Sequence, residues 1–280
     1  MLALLKRNFL LYFRNRSGVF FSLLGALISF ILYIIFLQKN LTDAWAQLPN
    51  SAPVLNNWLM SGTLAVTGIT TSLAALTQLV KDREHQVDQD LYLSDQGKWR
   101  LAFSYLTSAI IISFSMQILM YVLMCGYFRE VPTLSLLPEV LLIMLLSSLL
   151  SSLVNVIFVY FFKSVDSLGK FSTIVGTASG FLVGTYVPLG VLPNFAQLLM
   201  KCTPATYIAA LYRQVLMKEA LNETFKGQDN LLQEFQEKMG VQLKWQTLLT
   251  KEQTYLIVLG GILLALGIWI SLAKRSSKRK

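Results

Sequence analysis

The residues best suited to chemistry in this chain are few and crowd into one short stretch. Lys81, Asp82, Arg83, Glu84 and His85 stand together, followed by Asp88, Asp90 and Asp95 and then by Lys98 and Arg100. His85 is the only histidine, and no cysteine accompanies it, so a metal site lacks the second imidazole or thiolate it needs. No His-Glu-x-x-His, Gly-x-Ser-x-Gly or Gly-x-x-x-x-Gly-Lys-[Ser/Thr] occurs. The chain therefore offers neither an activated nucleophile with its base nor a cradle for nucleotide phosphates. What the 81–100 stretch can do is bind. Its mixed charges, with Leu91, Leu93 and Trp99 as apolar anchors and Gly97 as a break, suit rigid docking to a soluble protein. They equally suit a solvated connection whose anchors rest on a membrane.

A second stretch is unusual for its backbone. Residues 184–213 follow directly on an apolar run, yet Pro188, Pro193, Pro204, Gly184 and Gly190 interrupt them. Proline removes a backbone donor and restricts the residue before it. Broken backbone survives at membrane depth only where protein or water covers it. The segment is also too apolar for an ordinary solvent loop. It reads as a re-entrant or interfacial hairpin over 188–215.

The elements that must position these stretches are membrane spans. Hydrophobic residues make up 54% of the chain and charged residues 14%, outside the soluble range. Apolar runs at about Val19–Leu37, Trp58–Val80, Leu101–Tyr127, Val140–Phe162, Phe171–Val187 and Tyr255–Ala273 are each long enough to cross a bilayer or nearly so. The expected fold is an all-α membrane protein with six transmembrane helices. With both termini cytoplasmic, 15 of the 24 basic residues fall on the inner segments against 6 of the 15 acids. The outer segments then balance, so the whole net charge of +9 lies inside, as the positive-inside bias requires. Topology thus explains the basic balance, and nucleic acid is not a partner.

Smaller patterns complete the reading. Residues 1–17 form an amphipathic interfacial helix, with Leu2, Leu5, Phe9, Tyr12 and Phe13 on one face and Arg7, Arg14 and Asn15 opposite. The first apolar run exceeds a signal-peptide core, so Ala44-Trp45-Ala46 is not read as a cleavage site. Cys125 and Cys202 read as small buried residues rather than a disulfide, and Asn40 and Asn222 open glycosylation sequons. Ser172, Gly176, Gly180 and Gly184 recur every four residues, a smooth strip for close helix packing or a dimer seam. Gln78, Gln117 and Asn155 suit hydrogen bonds between helices. Charged side chains are nearly absent from span interiors, which argues against ion-coupled transport. Residues 216–253 form an outer segment, with Leu231, Leu232, Phe235 and Met239 on one helical face.

The whole resembles the permease subunit of ABC-2-type exporters, in particular the drug and antimicrobial-export branch of Gram-positive bacteria. Three regions carry the likeness: residues 1–24; Lys81-Asp82-Arg83-Glu84 with Asp90-Leu-Tyr-Leu-Ser94; and Gly180, Gly184, Pro188, Gly190, Leu192-Pro193, Pro204 and Arg213. The resemblance implies that residues 81–95 are a coupling helix seated on an ATPase subunit. Lys81, Asp82, Arg83, Glu84, Leu91 and Leu93 would be its contacts. It implies that Pro188, Gly190, Pro193, Pro204 and Arg213 belong to a re-entrant outer gate, and that the first and fifth spans meet a second permease chain. Two cytoplasmic ATPases would carry ATP and Mg²⁺, leaving no cofactor on this chain. Relatives often place Ser-Pro after the coupling helix, whereas Ser94 here precedes Asp95-Gln96-Gly97. The expected function is outward movement of an amphipathic or lipid-like substrate (drug, antimicrobial peptide or glycolipid) across a bacterial plasma membrane. An ATP-independent channel or scaffold is the alternative.

Overall fold

A computed structural model describes residues 1–37, 51–93, 97–129 and 134–278. The sequon at Asn40, Ala44-Trp45-Ala46, the coupling-helix end at Ser94, Asp95 and Gln96, and the side chain of Leu93 lie outside the described residues. Within them the chain is all helix, with a single isolated bridge between Lys244 and Leu248.

Helix α1 (Leu2–Arg14) turns at Asn15 into α2 (Arg16–Leu32), whose last turn relaxes into a π-helical stretch, Tyr33–Leu37. The Asn15 side chain accepts from the Gly18 amide at 3.0 Å and so caps α2. Then follow α3 (Ser51–Glu84), the short α4 (Val87–Leu93), α5 (Gly97–Phe128), α6 (Leu137–Val159) and α7 (Val165–Leu182). A 3₁₀ turn (Leu189–Val191) leads to α8 (Asn194–Lys201), α9 (Pro204–Leu216), α10 (Lys218–Thr224), α11 (Asp229–Lys238) and the closing α12 (Lys251–Lys278).

Among the described residues, five helices are long and apolar enough to cross a membrane: Arg16–Phe36, Ala52–Glu84, Trp99–Phe128, Leu137–Val159 and Lys251–Lys274. The fifth expected span corresponds to α7, which Asp166 and Lys170 make more polar than these. Helix α3 is the axis of the bundle, with α2, α5, α6, α7 and α9 packed around it. Leu59, Leu64, Val66 and Leu76 on it are fully buried. By contrast Phe20, Phe21 and Ile31 on α2 and Leu256, Leu263 and Leu264 on α12 are exposed, as faces turned to lipid are.

Several polar groups inside the bundle bond across or along helices, since an unpaired one costs several kcal/mol in hydrocarbon, although the buried hydroxyls of Thr63, Ser152 and Thr185 have no partner among the described residues. Thr67 and Thr71 donate to carbonyls one turn back at 2.8 and 2.6 Å. Asn155 donates to the Ile69 carbonyl at 2.9 Å and to Ser72 at 2.8 Å, joining α6 to α3. Gln117 donates to Ser148 at 2.7 Å and accepts from Tyr212 at 2.8 Å, joining α5 to α6 and α9. The interhelical role expected of Gln117 and Asn155 is thus seen directly.

The bundle has two distinct ends. At one, here the charged end, α1, the close of α3, α4, the start of α5 and the α6–α7 turn come together. The last turns of α12 join them, where Trp269 meets Trp99 and Phe103 edge to face. At the other, the capped end, α8 to α11 cover the starts of α3, α6 and α12.

Candidate functional site

At the charged end a buried carboxylate sits beneath α1. Arg7 donates to Asp82 through both terminal nitrogens, at 2.8 and 2.9 Å, a bidentate fork that favours a fixed orientation. Gln78 donates to the same carboxylate at 2.7 Å, and the Tyr105 hydroxyl also donates to it. Asp82 is only 3% exposed. Hydrogen bonding to Asp82 pushes Arg7 above the ordinary arginine pKa. Asn8, also buried, donates to Ser108 on α5 at 3.3 Å. Three helices are therefore tied at one carboxylate.

This changes two expectations. Asp82 faces inward and presents no surface to a docking partner, because Arg7, 75 residues earlier, supplies its counter-charge. Arg7 does not lie on a solvent-facing side of α1 either. Leu4, Arg7 and Asn8 turn toward the bundle, while Leu2, Phe9 and Leu10 are exposed. The apolar residues of α1 are thus left exposed while its polar face meets a buried acid.

Lys81, Arg83 and Glu84 end α3 rather than riding on the short helix. Gln86, with φ +58°, breaks the chain between α3 and α4. Arg83 stacks over the Tyr160 ring at 5.6 Å, and Glu84 accepts from the Val165 amide at 2.8 Å. Both residues thus grip the α6–α7 turn. Lys81 is exposed. On α4, Leu91 packs on the apolar cluster of Leu4, Leu76 and Leu168, while Gln89 and Asp90 face outward.

The capped end is organised by a second arginine. Arg213 on α9 is 1% exposed. It donates to the carbonyls of Gly184 at 2.8 Å, Gly240 at 3.1 Å and Val183 at 3.2 Å. Its guanidinium also lies 5.1 Å from the centre of the Trp58 ring. Trp58 in turn donates to the Met239 carbonyl at 2.7 Å. Among the described residues no carboxylate pairs with Arg213, and its Nε has no partner.

The prolines and glycines mark the breaks between these pieces. Pro188 precedes the 3₁₀ turn, Pro193 caps α8, and Pro204 occupies the first turn of α9, where its missing N–H costs nothing. Gly184 adopts φ +72°, which directs its carbonyl to Arg213. A Cβ on Gly190 would stand 2.7 Å from the Lys238 backbone. Of the strip on α7, Gly180 admits the Tyr186 ring of its own chain, and Gly184 packs against Met200. Ser172 and Gly176 instead line an open cleft of about 750 Å³ between α2, α3 and α7, walled by Phe21, Ile28 and Phe181.

Among the described residues this is a bundle with no cluster of metal-ligating side chains, an amphipathic first helix and a short charged helix at one end, and a proline-broken cap at the other. A family model for the ABC-2 type transporter matches residues 1–217. The chain belongs to the ABC-2 type transporter family. It is the membrane permease subunit of such a transporter, and this domain carries neither an ATPase site nor a cofactor of its own. ABC-2 permeases pair with ABC ATPase subunits. A search of curated proteins found no match to the chain. The matched segment of the permease ends just after Arg213, whose carbonyl partner Gly240 lies beyond it. Sequence reasoning singled out Arg213 and put Arg7 on the polar face of α1, but gave no role to Trp58 or Tyr105 and no partner to Arg7. No local pattern marks these three, since each acts on a residue far along the chain.

Proposed function

We propose that this permease is the membrane half of an exporter, two such chains pairing with two cytoplasmic ATPases. The observation that carries the reading is α4: a short helix with Gln89 and Asp90 facing outward, set at the charged end and joined to the bundle axis α3 by the tight turn at Gln86. An ATPase that grips α4 moves α3, and α3 touches most of the other helices. Lys81, Arg83, Glu84, Leu91 and Leu93 serve this coupling, while Asp82 acts from within by holding α1 to it. Arg83 and Glu84 pass the same motion to α7.

Several features support the finer picture. Helix α7 starts beside Glu84 and ends beside Arg213, which supports reading it as a sixth crossing with both termini cytoplasmic. Tyr212 reaches Gln117, which stands about 16 Å along α5 from its Phe128 end at 1.5 Å per residue. That depth favours α8 and α9, with Pro188, Gly190, Pro193, Pro204 and Arg213, as a re-entrant outer gate. The domain layout follows: interfacial helix 1–17, transmembrane domain 18–280, coupling loop 81–100, hairpin 188–215 and outer segment 216–253. The exposed faces of α2 and α7, with Ser172 and Gly176 between them, would meet the second chain, while Gly180 and Gly184 pack within one. An apolar cleft suits an amphipathic or lipid-like substrate such as a drug, an antimicrobial peptide or a glycolipid, as in the Gram-positive drug-export branch, with a bacterial plasma membrane as the setting.

The test is the double substitution Arg83→Ala with Glu84→Ala in the complex reconstituted with its ATPase. Substrate-stimulated ATP hydrolysis and export should fall while membrane insertion is retained. Unchanged stimulation and export would sink the coupling role.

A further inference from the structure

The carbonyls that hold Arg213 come from the ends of two helices built alike. Helix α7 stops at Leu182, and two residues on Gly184 takes φ +72°. Helix α11 stops at Lys238, and two residues on Gly240 takes φ +66°. At the first end the Thr185 amide donates back to the Gly180 carbonyl at 2.8 Å and the Gly184 amide to that of Phe181 at 3.0 Å. At the second the Val241 amide donates to the Gln236 carbonyl at 2.9 Å and the Gly240 amide to that of Glu237 at 3.2 Å. Each is the same left-handed terminal turn, which glycine enters without steric cost. It leaves the carbonyls just past each helix open to a partner.

Helix α9 is that partner for both. Arg213 donates to Val183 and Gly184 at the end of α7 and to Gly240 at the end of α11. The carbonyls on either side of Gly240 are held too, Met239 by Trp58 at 2.7 Å and Val241 by Gln214 at 2.9 Å. Three successive carbonyls thus accept from three side chains on α3 and α9. A helix C-terminus carries roughly half a negative charge, so two of them offset about one cation. That accounts for a buried guanidinium with no carboxylate beside it among the described residues. It also ties the two helices to each other, since either one leaving would strand part of that charge away from water. The second helix end lies outside the segment that the family model matches, which stops at residue 217.

We propose that Arg213 is a yoke between α7 and the outer segment. The proline-broken cap then travels with α7 as one body and does not lift off it. Gln214 and Trp58 are positioning residues, which hold the end of α11 against the arginine. The travel rests on the coupling reading above, whereas the yoke itself does not.

The test is hydrogen–deuterium exchange, followed by mass spectrometry, on the full chain in mild detergent. Gln214→Leu removes the donor to Val241 and none of the bonds to α7. It should speed exchange roughly fivefold at the amides of Gly240 and Val241, the net worth of one hydrogen bond, and by a similar factor at Gly184 and Thr185. Gly184→Ala, which forces a side chain into φ +72° and against Met200, should loosen the same two ends from the other side. Either variant alone decides, so failure of one to fold leaves the other. A rise confined to the substituted end overturns the yoke. So does a rise shared by α5 and α6, which would show general loosening and no specific link. In the complex with its ATPase, trapped by ATP and vanadate, both ends should change protection in the same direction. Opposite changes would overturn the shared travel. Absence of change at both ends would count against the coupling reading, while the yoke stands or falls on the first measurement.

Discussion

Arg7 and Arg213 stand at opposite ends of the bundle and solve the same problem differently. Both are guanidinium groups drawn away from water. Arg7 meets a carboxylate, shared with Tyr105 and Gln78, and its own side chain is still 30% exposed. Arg213 is sealed in and meets only carbonyls and the Trp58 ring. An ion pair at a wet edge can part and re-form, because water takes over the charges when it opens. A sealed cation held by three backbone carbonyls has no such exchange, since opening it strands both charge and carbonyls. The charged end is thus tied by an ion pair that can open to water, and the capped end by one arginine held fixed inside it.

The sharpest way to break the comparison is at Arg213. Arg213→Met leaves the carbonyls of Val183, Gly184 and Gly240 without this donor, and should destabilise the chain by about 3 kcal/mol. The drop is read as thermal unfolding followed by size-exclusion chromatography in detergent. Arg213→Lys should recover only part of it, since one ammonium cannot span three carbonyls and stack on an indole. Full recovery with lysine would mean that charge alone matters there.

Asp82→Asn should have a smaller effect on stability, about 1–2 kcal/mol, because Arg7 can turn to water. Its larger effect should be on coupling, read as loss of substrate-stimulated ATP hydrolysis with the permease still assembled. The exchange Arg7→Asp with Asp82→Arg should restore part of that stimulation. No such exchange exists for Arg213, and a swap that restores nothing would erase the contrast drawn here.

The smallest effect is expected at the rim of the capped end. Lys251 pairs with Glu139 at 2.8 Å, with side chains 36% and 31% exposed. Lys251→Met should cost no more than about 1 kcal/mol and leave the unfolding temperature nearly unchanged. A large loss would show that the cap is held from its edge rather than by Arg213.

Much of this architecture could be read from the order of residues, but unevenly. Apolar runs report length, so six spans were expected, of which five meet the length and polarity of a crossing helix among the described residues, and the proline breaks marked the start of α9. The glycine strip reported that something approaches α7 closely, yet not what. The answer at Gly180 is Tyr186, six residues on, and a spacing rule for helix pairs is blind to a chain that folds back on itself. Asp82 looked like one charge among several on a surface loop. It is buried because α3 continues helically through Glu84 and turns that position inward, and because Arg7 waits there. Periodicity on α1 likewise sorted its faces by polarity without saying which medium each would meet. Contacts between residues tens of positions apart leave no local trace.

The reach of Arg213 to Gly240 also has a consequence for biosynthesis. A ribosome delivers the arginine 27 residues before the carbonyl that helps to hold it. Until then the nascent chain carries a cation at the membrane with its clamp incomplete, and α9 has reason to linger near the aqueous mouth of the insertion machinery. Seating of the helix is therefore timed by the arrival of the segment after it. Ribosomal pausing or a slow codon run before residue 240 would lengthen exposure of the half-built cap to quality-control proteases.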